Sequence, residues 1–320
     1  MFTTRHSART RGLRILAAGV LACAQVLLVH AASASLTVFA PDEMAAGELV
    51  QQLRATQAGG ERFELVRVDP AGTAAQMPAG TSAQEGWAVA IGPAAAREAI
   101  GRAGDQPLVL AMLSRIDYDR LKDNPALQRS QRRVGVLLRE VPMREQLALI
   151  QAALPDKRRL GVVSTPAGDA VLHELREAAR GWDLQVEIAP DANSIGQALR
   201  TLLPRSDALI VLPDLIGDDP AATQALLRSA ASAGVPVFGS SEALVRSGGL
   251  AAVVATPAQQ ARQARALGRR LAVEPAGERA GVQVETPTPV TVRVNPTVAQ
   301  GLGLRLPSEH ELDQQVGRGR

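Results

Sequence analysis

The sequence predicts an α/β protein of two lobes, each a parallel sheet flanked by helices. Short apolar, β-branched runs alternate with helical segments along the chain. Those runs are continuously apolar rather than alternating in polarity, as strands buried on both faces are. The alternation restarts near residue 155, which gives two βα series of ordinary domain size in a chain of 320 residues.

The first series opens with a strand at 36–39 and an amphipathic helix at 44–54. Strands follow at 63–68 and 87–91. Gly92-Pro93 then leads into an Ala-rich helix that ends near Ile100. Two more strands, 108–112 and 133–138, precede a long helix at 143–154, with Pro142 near its start and Pro155 just past its end. The second series has strands at 160–163, 184–188, 208–212, 235–238, 250–254 and 291–294. Its helices fall at 170–179, 195–203, 221–233 and 259–271. Pro236 lacks a backbone donor, so its strand either begins there or lies at a sheet edge. Residues 72–85 read as loop, and 274–289 as a second irregular stretch with Pro275, Pro287 and Pro289. The polar tail 308–320 is expected to be flexible.

Composition narrows the function classes. Hydrophobic residues make up 46% of the chain and aromatics 2%, so the cores must be built from Leu, Val, Ile and Ala. The net charge is +3, but Arg5, Arg9, Arg11 and Arg14 all precede residue 35, where there is no acid. Without those four charges the balance is −1, and the remaining basic residues are interleaved with acids. A nucleic-acid partner is therefore not expected.

The same N-terminal segment reads as a signal peptide. Residues 1–14 are polar and basic, 15–29 are apolar but short for a membrane span, and Ala32-Ser33-Ala34 supplies small residues for cleavage after Ala34. Lipidation at Cys23 is a rival, but residues 24–29 remain apolar where a lipoprotein usually turns polar. An uncleaved anchor is the third option. Cleavage would leave a periplasmic protein of residues 35–320. It would also remove Cys23, the single cysteine, and with it any disulfide, thiol nucleophile or cysteine-based metal site.

Catalytic constellations are scarce. His6 and His30 leave with the signal segment, His173 sits in a helix and His310 in the tail. No converging metal ligands are apparent. Gly239-Ser240-Ser241 follows a strand but lacks the Gly-x-Ser-x-Gly elbow and a plausible base, so helix capping is the better reading. Glycine-rich phosphate loops are absent, and no cofactor is implied. What recurs is the strand-to-helix turn with small or polar residues: Gly92-Pro93-Ala94, Ser164-Thr165-Pro166, Pro213-Asp214 and Ser240-Ser241-Glu242. Ligands of open parallel sheets sit beyond the carboxyl ends of the strands, near helix N-termini. The competing explanation for each turn is that its side chains merely cap a helix.

Two runs near the C-terminus carry a family resemblance. They are Val235-Pro-Val-Phe-Gly-Ser-Ser-Glu-Ala-Leu-Val-Arg-Ser-Gly-Gly-Leu250 and Val292-Arg-Val-Asn-Pro-Thr-Val-Ala-Gln-Gly-Leu-Gly-Leu-Arg-Leu-Pro307. With Ile91-Gly-Pro-Ala-Ala95, Leu154-Pro-Asp-Lys-Arg-Arg-Leu-Gly-Val-Val163 and Asp207-Ala-Leu-Ile-Val-Leu-Pro-Asp214, the chain resembles the solute-binding proteins of ABC transporters, in the branch with tryptophan- and tyrosine-binding members. The resemblance implies a type I periplasmic binding protein: two Rossmann-like lobes joined by several crossings, with the C-terminal part returning to the first lobe. It implies lobe 1 at 35–157, lobe 2 at 158–257 and a return segment at 258–307 packing mainly on lobe 1. The pocket turns depart from the family pattern. Ala40-Pro41-Asp42-Glu43 stands for its His-Pro, Ser114-Arg115-Ile116-Asp117 for Gly-Asp-Pro, Pro213-Asp214-Leu215 for Pro-Asp-Asn, and Val254-Ala255-Thr256-Pro257 for Gly-Val-Asp-Tyr.

The resulting expectation is a non-enzymatic, monomeric solute-binding protein that delivers a small molecule to an ABC permease in the inner membrane. Its ligand-binding residues would be Asp42, Gly92, Pro93, Ser114, Arg115, Tyr118, Ser164, Thr165, Asp214, Ser240 and Thr256. Arg115 would pair with a ligand acid, and Asp214 would accept from an amine. Ser164, Thr165, Ser240 and Thr256 would donate, and Tyr118 would stack. The alternative is a periplasmic accessory or sensory protein of the same fold that contacts a receptor or sensor kinase. A hydrolase finds no believable nucleophile–base pair.

Overall fold

A computed structural model describes residues 35–45, 47–69, 86–102, 105–128, 132–191, 193–273 and 281–318. The signal segment with His6, Cys23 and His30, the loop stretch 72–85 and the early part of the 274–289 stretch lie outside the described residues. Residues 34–320 form one compact unit.

In chain order the strands are β1 (Ser35–Pro41), β2 (Arg62–Val68), β3 (Gly86–Ile91), β4 (Leu108–Leu113), β5 (Val134–Leu138), β6 (Arg159–Ser164), β7 (Asp183–Ile188), β8 (Ala208–Ile210), β9 (Val237–Gly239), β10 (Ala251–Val254), β11 (Gln283–Glu285) and β12 (Thr291–Val294). The helices are α1 (Asp42–Ala45), α2 (Glu48–Ala55), α3 (Gly92–Gly101), α4 (Arg115–Leu121), α5 (Met143–Ala153), α6 (Asp169–Ala178), α7 (Ile195–Leu202), α8 (Leu215–Asp218), α9 (Pro220–Ser232), α10 (Glu242–Arg246), α11 (Pro257–Val273), α12 (Pro296–Gly301) and α13 (Glu309–Arg318).

The strands form two sheets, ordered β11-β5-β4-β3-β1-β2 and β12-β10-β9-β8-β6-β7. All pairs are parallel except β10 with β12, which closes one edge antiparallel. Parallel pairing follows from the helical crossovers, and those helices cover both faces. On the first sheet, α2 and α11 bury Val50, Leu53, Ala261, Ala264 and Leu267 against one face. The Ala-rich α3 and α4 pack Ala95, Ala99, Ile100 and Leu121 on the other. A fully buried Leu of this kind contributes about 1.5–3 kcal/mol. The approach of α11 needs Gly268, because a Cβ there would lie 2.1 Å from the Trp87 ring. A buried ion pair fixes the same helix: Arg265 Nη1 lies 2.7 Å from Glu61 Oε2, and the guanidinium also donates to the Leu53 carbonyl.

Several expectations need correction. The helix predicted at 143–154 forms as α5 but packs on the second sheet, with Leu147, Ile150 and Leu154 in that core. Its Gln146 amide exchanges two hydrogen bonds with Val253 of β10, at 2.7 and 3.0 Å. The first lobe therefore ends near residue 140, not 157. The return segment divides: α11 and β11 join the first lobe, whereas β12 and α12 join the second. Within the tail, residues 309–318 form a helix, α13. α13 buries Leu312 and Val316 in the second-lobe core, because those two positions lie four apart on one helical face. Pro236 precedes β9, which is an interior strand, so it marks a beginning and not an edge.

Candidate functional site

The carboxyl ends of both sheets face one another across a cleft of about 270 Å³. The first lobe contributes Met112 at the end of β4 and Arg139 and Glu140 just past β5. The second contributes 211–213 after β8, Asp218 in α8, Ser240 after β9, Glu242 in α10 and Val254 of β10. Ala255 and Gln260 line it where the chain crosses back into α11. Parallel sheets offer their ligand sites at this end.

Met112 enters the lining through an irregularity of its strand. The β4–β5 register shifts between Ala111 and Leu113, and Met112 has φ 59°. A left-handed backbone at a non-glycine residue is strained, and here a bulge imposes it beside the cleft.

Arg139 clasps the lobes together. Its Nη2 donates to Asp218 Oδ1 at 2.8 Å and Oδ2 at 2.6 Å, across the cleft. Its Nε donates to Glu140 Oε1 at 3.2 Å, and Glu140 Oε2 accepts from the Arg115 backbone N–H at 3.2 Å. Glu140 is only 9% exposed. That burial pushes its carboxyl from 4.5 up to about 7, against the opposing pull of Arg139. At the rim, Glu242 lies 3.4 Å from Arg246 and 3.8 Å from Arg293. Two neutral groups remain unengaged in this lining. Neither the Ser240 hydroxyl nor the side-chain amide of Gln260, a residue 8% exposed, hydrogen-bonds to any described residue.

Of the residues singled out in the sequence, the structure brings Ser240 into the cleft. Arg115 lies just behind it, where it lines a small void with Glu140 and Pro213. The others are engaged elsewhere. Asp214 is fully buried and caps α8: its Oδ1 accepts from Ile216 N–H at 3.0 Å and Gly217 N–H at 3.3 Å, and its Oδ2 from Thr165 N–H at 3.2 Å. Burial raises its pKa, and these hydrogen bonds oppose the rise. Asp214 and Thr165 thus tie the turn after β6 to the turn after β8. Ser164 is buried beside them and donates to the Thr165 carbonyl. Ser114 and Asp117 form a capping box on α4, a helix absent from the sequence reading, which passed over this Ser-x-x-Asp signal. Thr256 and Gln259 exchange equivalent hydrogen bonds at the start of α11. Gly92 and Pro93 open α3, with Gly92 at φ +82°. Asp42 is exposed, 3.5 Å from Arg67. Tyr118 packs on the first-lobe core, and among the described residues no aromatic ring lines the cleft.

Sequence reasoning missed Arg139, Glu140, Asp218 and Gln260. Arg139 and Glu140 directly follow a predicted strand, so the rule used for the other turns would have found them. Among the described residues, no group of three or more His, Cys, Asp or Glu could hold a metal ion, and no helix is long and apolar enough to cross a membrane.

With two sheets opening on a shared cleft, the architecture is that of a bilobal binding protein. A model of the ABC transporter substrate binding protein family matches residues 73–311, and the chain belongs to that family. It is a substrate-binding protein and not an enzyme. Solved structures share its type I periplasmic binding fold. A conserved domain protein from Vibrio cholerae is 22% identical with TM-score 0.56, covering 86% of this chain and 96% of that one. An ABC domain in complex with L-Trp from Streptococcus pneumonia is 19% identical with TM-score 0.58, covering 89% and 99%. A ligand-free, open substrate binding protein with adhesive properties from Clostridium difficile is 15% identical with TM-score 0.64, covering 86% and 96%. No curated protein matches the chain.

Proposed function

We propose that this protein is exported, loses residues 1–34 by cleavage after Ala34, and acts in the periplasm as the monomeric solute-capturing component of an ABC importer. A small solute enters the interlobe cleft, touches both lobes and favours their closure, and the closed form docks on the inner-membrane permease. The observation that carries this reading is the cleft itself, lined from both sheets at the strand ends where such folds take ligands. A ligand that bridges two bodies shifts them toward closure by its differential contacts. The L-Trp in the Streptococcus neighbour supports a solute of amino-acid size.

Among the residues named from the sequence, Ser240 keeps a direct role in this proposal. Arg115 supports the cleft wall through its amide, and Asp214 with Thr165 holds the second-lobe turns in place.

Two measurements test the proposal. N-terminal sequencing of protein recovered from the periplasmic fraction should begin at Ser35; an intact N-terminus or a lipidated Cys23 contradicts the export part. Thermal unfolding of residues 34–320 against amino acids, small acids, amines, polyols and nucleosides should reveal a stabilising solute, worth about 2.7 kcal/mol at a hundredfold excess over its dissociation constant. A flat response from well-folded protein contradicts solute capture.

A further inference from the structure

The charges and free groups of the cleft define a ligand class. Each lining carboxylate already faces a guanidinium. Asp218 takes both its short contacts from Arg139, and Glu140 takes the Nε of the same side chain. Glu242 lies within ion-pair distance of Arg246 and Arg293. An anionic ligand would have to compete with Asp218 and Glu140 for Arg139, which among the described residues is the one guanidinium in the lining. A cationic ligand would have to displace a guanidinium from a carboxylate. In each case a formed ion pair is given up; the loss is greatest at the buried Glu140 and smaller at the exposed Asp218 and Glu242.

What the cleft offers without such an exchange is neutral. The Ser240 hydroxyl can donate and accept, and the Gln260 amide carries both a carbonyl acceptor and an N–H₂ donor. Gln260 is more than nine-tenths buried, lines the cleft and has no hydrogen-bond partner for its side chain among the described residues. Its amide is not sealed from solvent, so a ligand with matching donors and acceptors can take the place of water there without breaking any contact within the protein. Around these groups the wall is aliphatic, with Met112, Leu244 and Val254, and among the described residues it offers no ring for stacking. The volume of about 270 Å³ is at the small end for ligand pockets.

We infer that the cleft selects a small, uncharged, non-aromatic solute bearing hydroxyl or amide groups, read by Ser240 and Gln260 while the Arg139–Asp218 clasp stays closed. This inference rests on the solute-capture reading above. It departs from the charged, aromatic amino acid seen in the Streptococcus neighbour, whose ammonium and carboxylate would each need a free ionic partner.

Calorimetric titration of residues 34–320 tests it with three probe sets. The neutral set is glycerol, erythritol, xylitol and acetamide; the charged set is succinate, 1,4-diaminobutane and L-arginine; the aromatic set is L-tryptophan and L-tyrosine. Binding should be confined to the neutral set, with a dissociation constant unchanged between 50 and 500 mM NaCl, roughly the insensitivity expected when no ion pair is exchanged. Gln260→Leu preserves the side chain's bulk and should weaken that binding about tenfold, as should Ser240→Ala, with unfolding transitions at or above the parent's. Binding by the charged or aromatic set and not the neutral one overturns the ligand class but leaves solute capture standing. Neutral binding that neither substitution weakens overturns the assignment to these two residues. Silence from the neutral set also overturns the class, and silence from every probe and from the wider thermal screen overturns solute capture with it.

Discussion

Glu140 shows how one residue's surroundings set a measurable property. It is packed behind the cleft, faces Arg139 and takes the Arg115 amide, and burial still raises its carboxyl to about 7. A carboxyl whose folded pKa exceeds its unfolded value stabilises the fold fully below the unfolded value, near 4.5. That contribution is lost as pH rises through about 7. At about 1.4 kcal/mol per pH unit, the window spans on the order of 3 kcal/mol. Urea unfolding of parent and Glu140→Gln across pH 4.5–8 should show the parent losing stability relative to the variant as pH rises; parallel curves would contradict this. Burial raises Asp214 too, but its oxygens accept from three backbone amides, which oppose the rise and give it a structural role. Asp214→Ala should cost about 3 kcal/mol in the same measurement, since it removes a cap and orphans buried donors. A change below about 0.5 kcal/mol would refute that role. These residues also show where sequence reading ran out. Ser114, Thr165, Asp214 and Thr256 carry groups suited to ligands, but the same groups suit helix ends, and only three-dimensional structure shows which use each one has.

At the scale of elements, nearly all the strands and most of the longer helices were legible, because β-branched runs and helical periodicity are local signals; short helices such as α1, α4 and α8 were not. Their allegiance was not. α5 follows β5 in sequence but belongs to the other sheet, which Gln146 secures through Val253. α13 looked like a polar tail because its apolar face has only Leu312 and Val316. β11 has three residues within a Pro-marked stretch, too few to show a period. Leu312→Ala should destabilise the fold by about 2–4 kcal/mol, the cost of a cavity at a fully buried leucine. A guanidinium chloride midpoint unchanged from the parent would mean that α13 is dispensable to the core.

On the scale of the whole molecule, two βα series predicted two lobes, and the sheets bear that out. The chain crosses between them after β5, after β10 and after β11, and these crossings put Glu140, Ala255 and Gln260 close to the cleft. The lobes therefore share a hinge and a binding surface built from the same stretches of chain. A solute that contacts both lobes would be read by the hinge region itself, through Gln260 at the first turn of α11.

The central claim is that this cleft captures a solute. The most direct test is the thermal screen run side by side on residues 34–320 and on the same protein carrying Ser240→Trp, whose indole would fill the cleft. The account predicts a solute that raises the melting temperature of the parent and leaves the variant, still cooperatively folded, unmoved. Equal shifts in both proteins would place binding elsewhere, and the absence of any shift in the parent would contradict capture altogether.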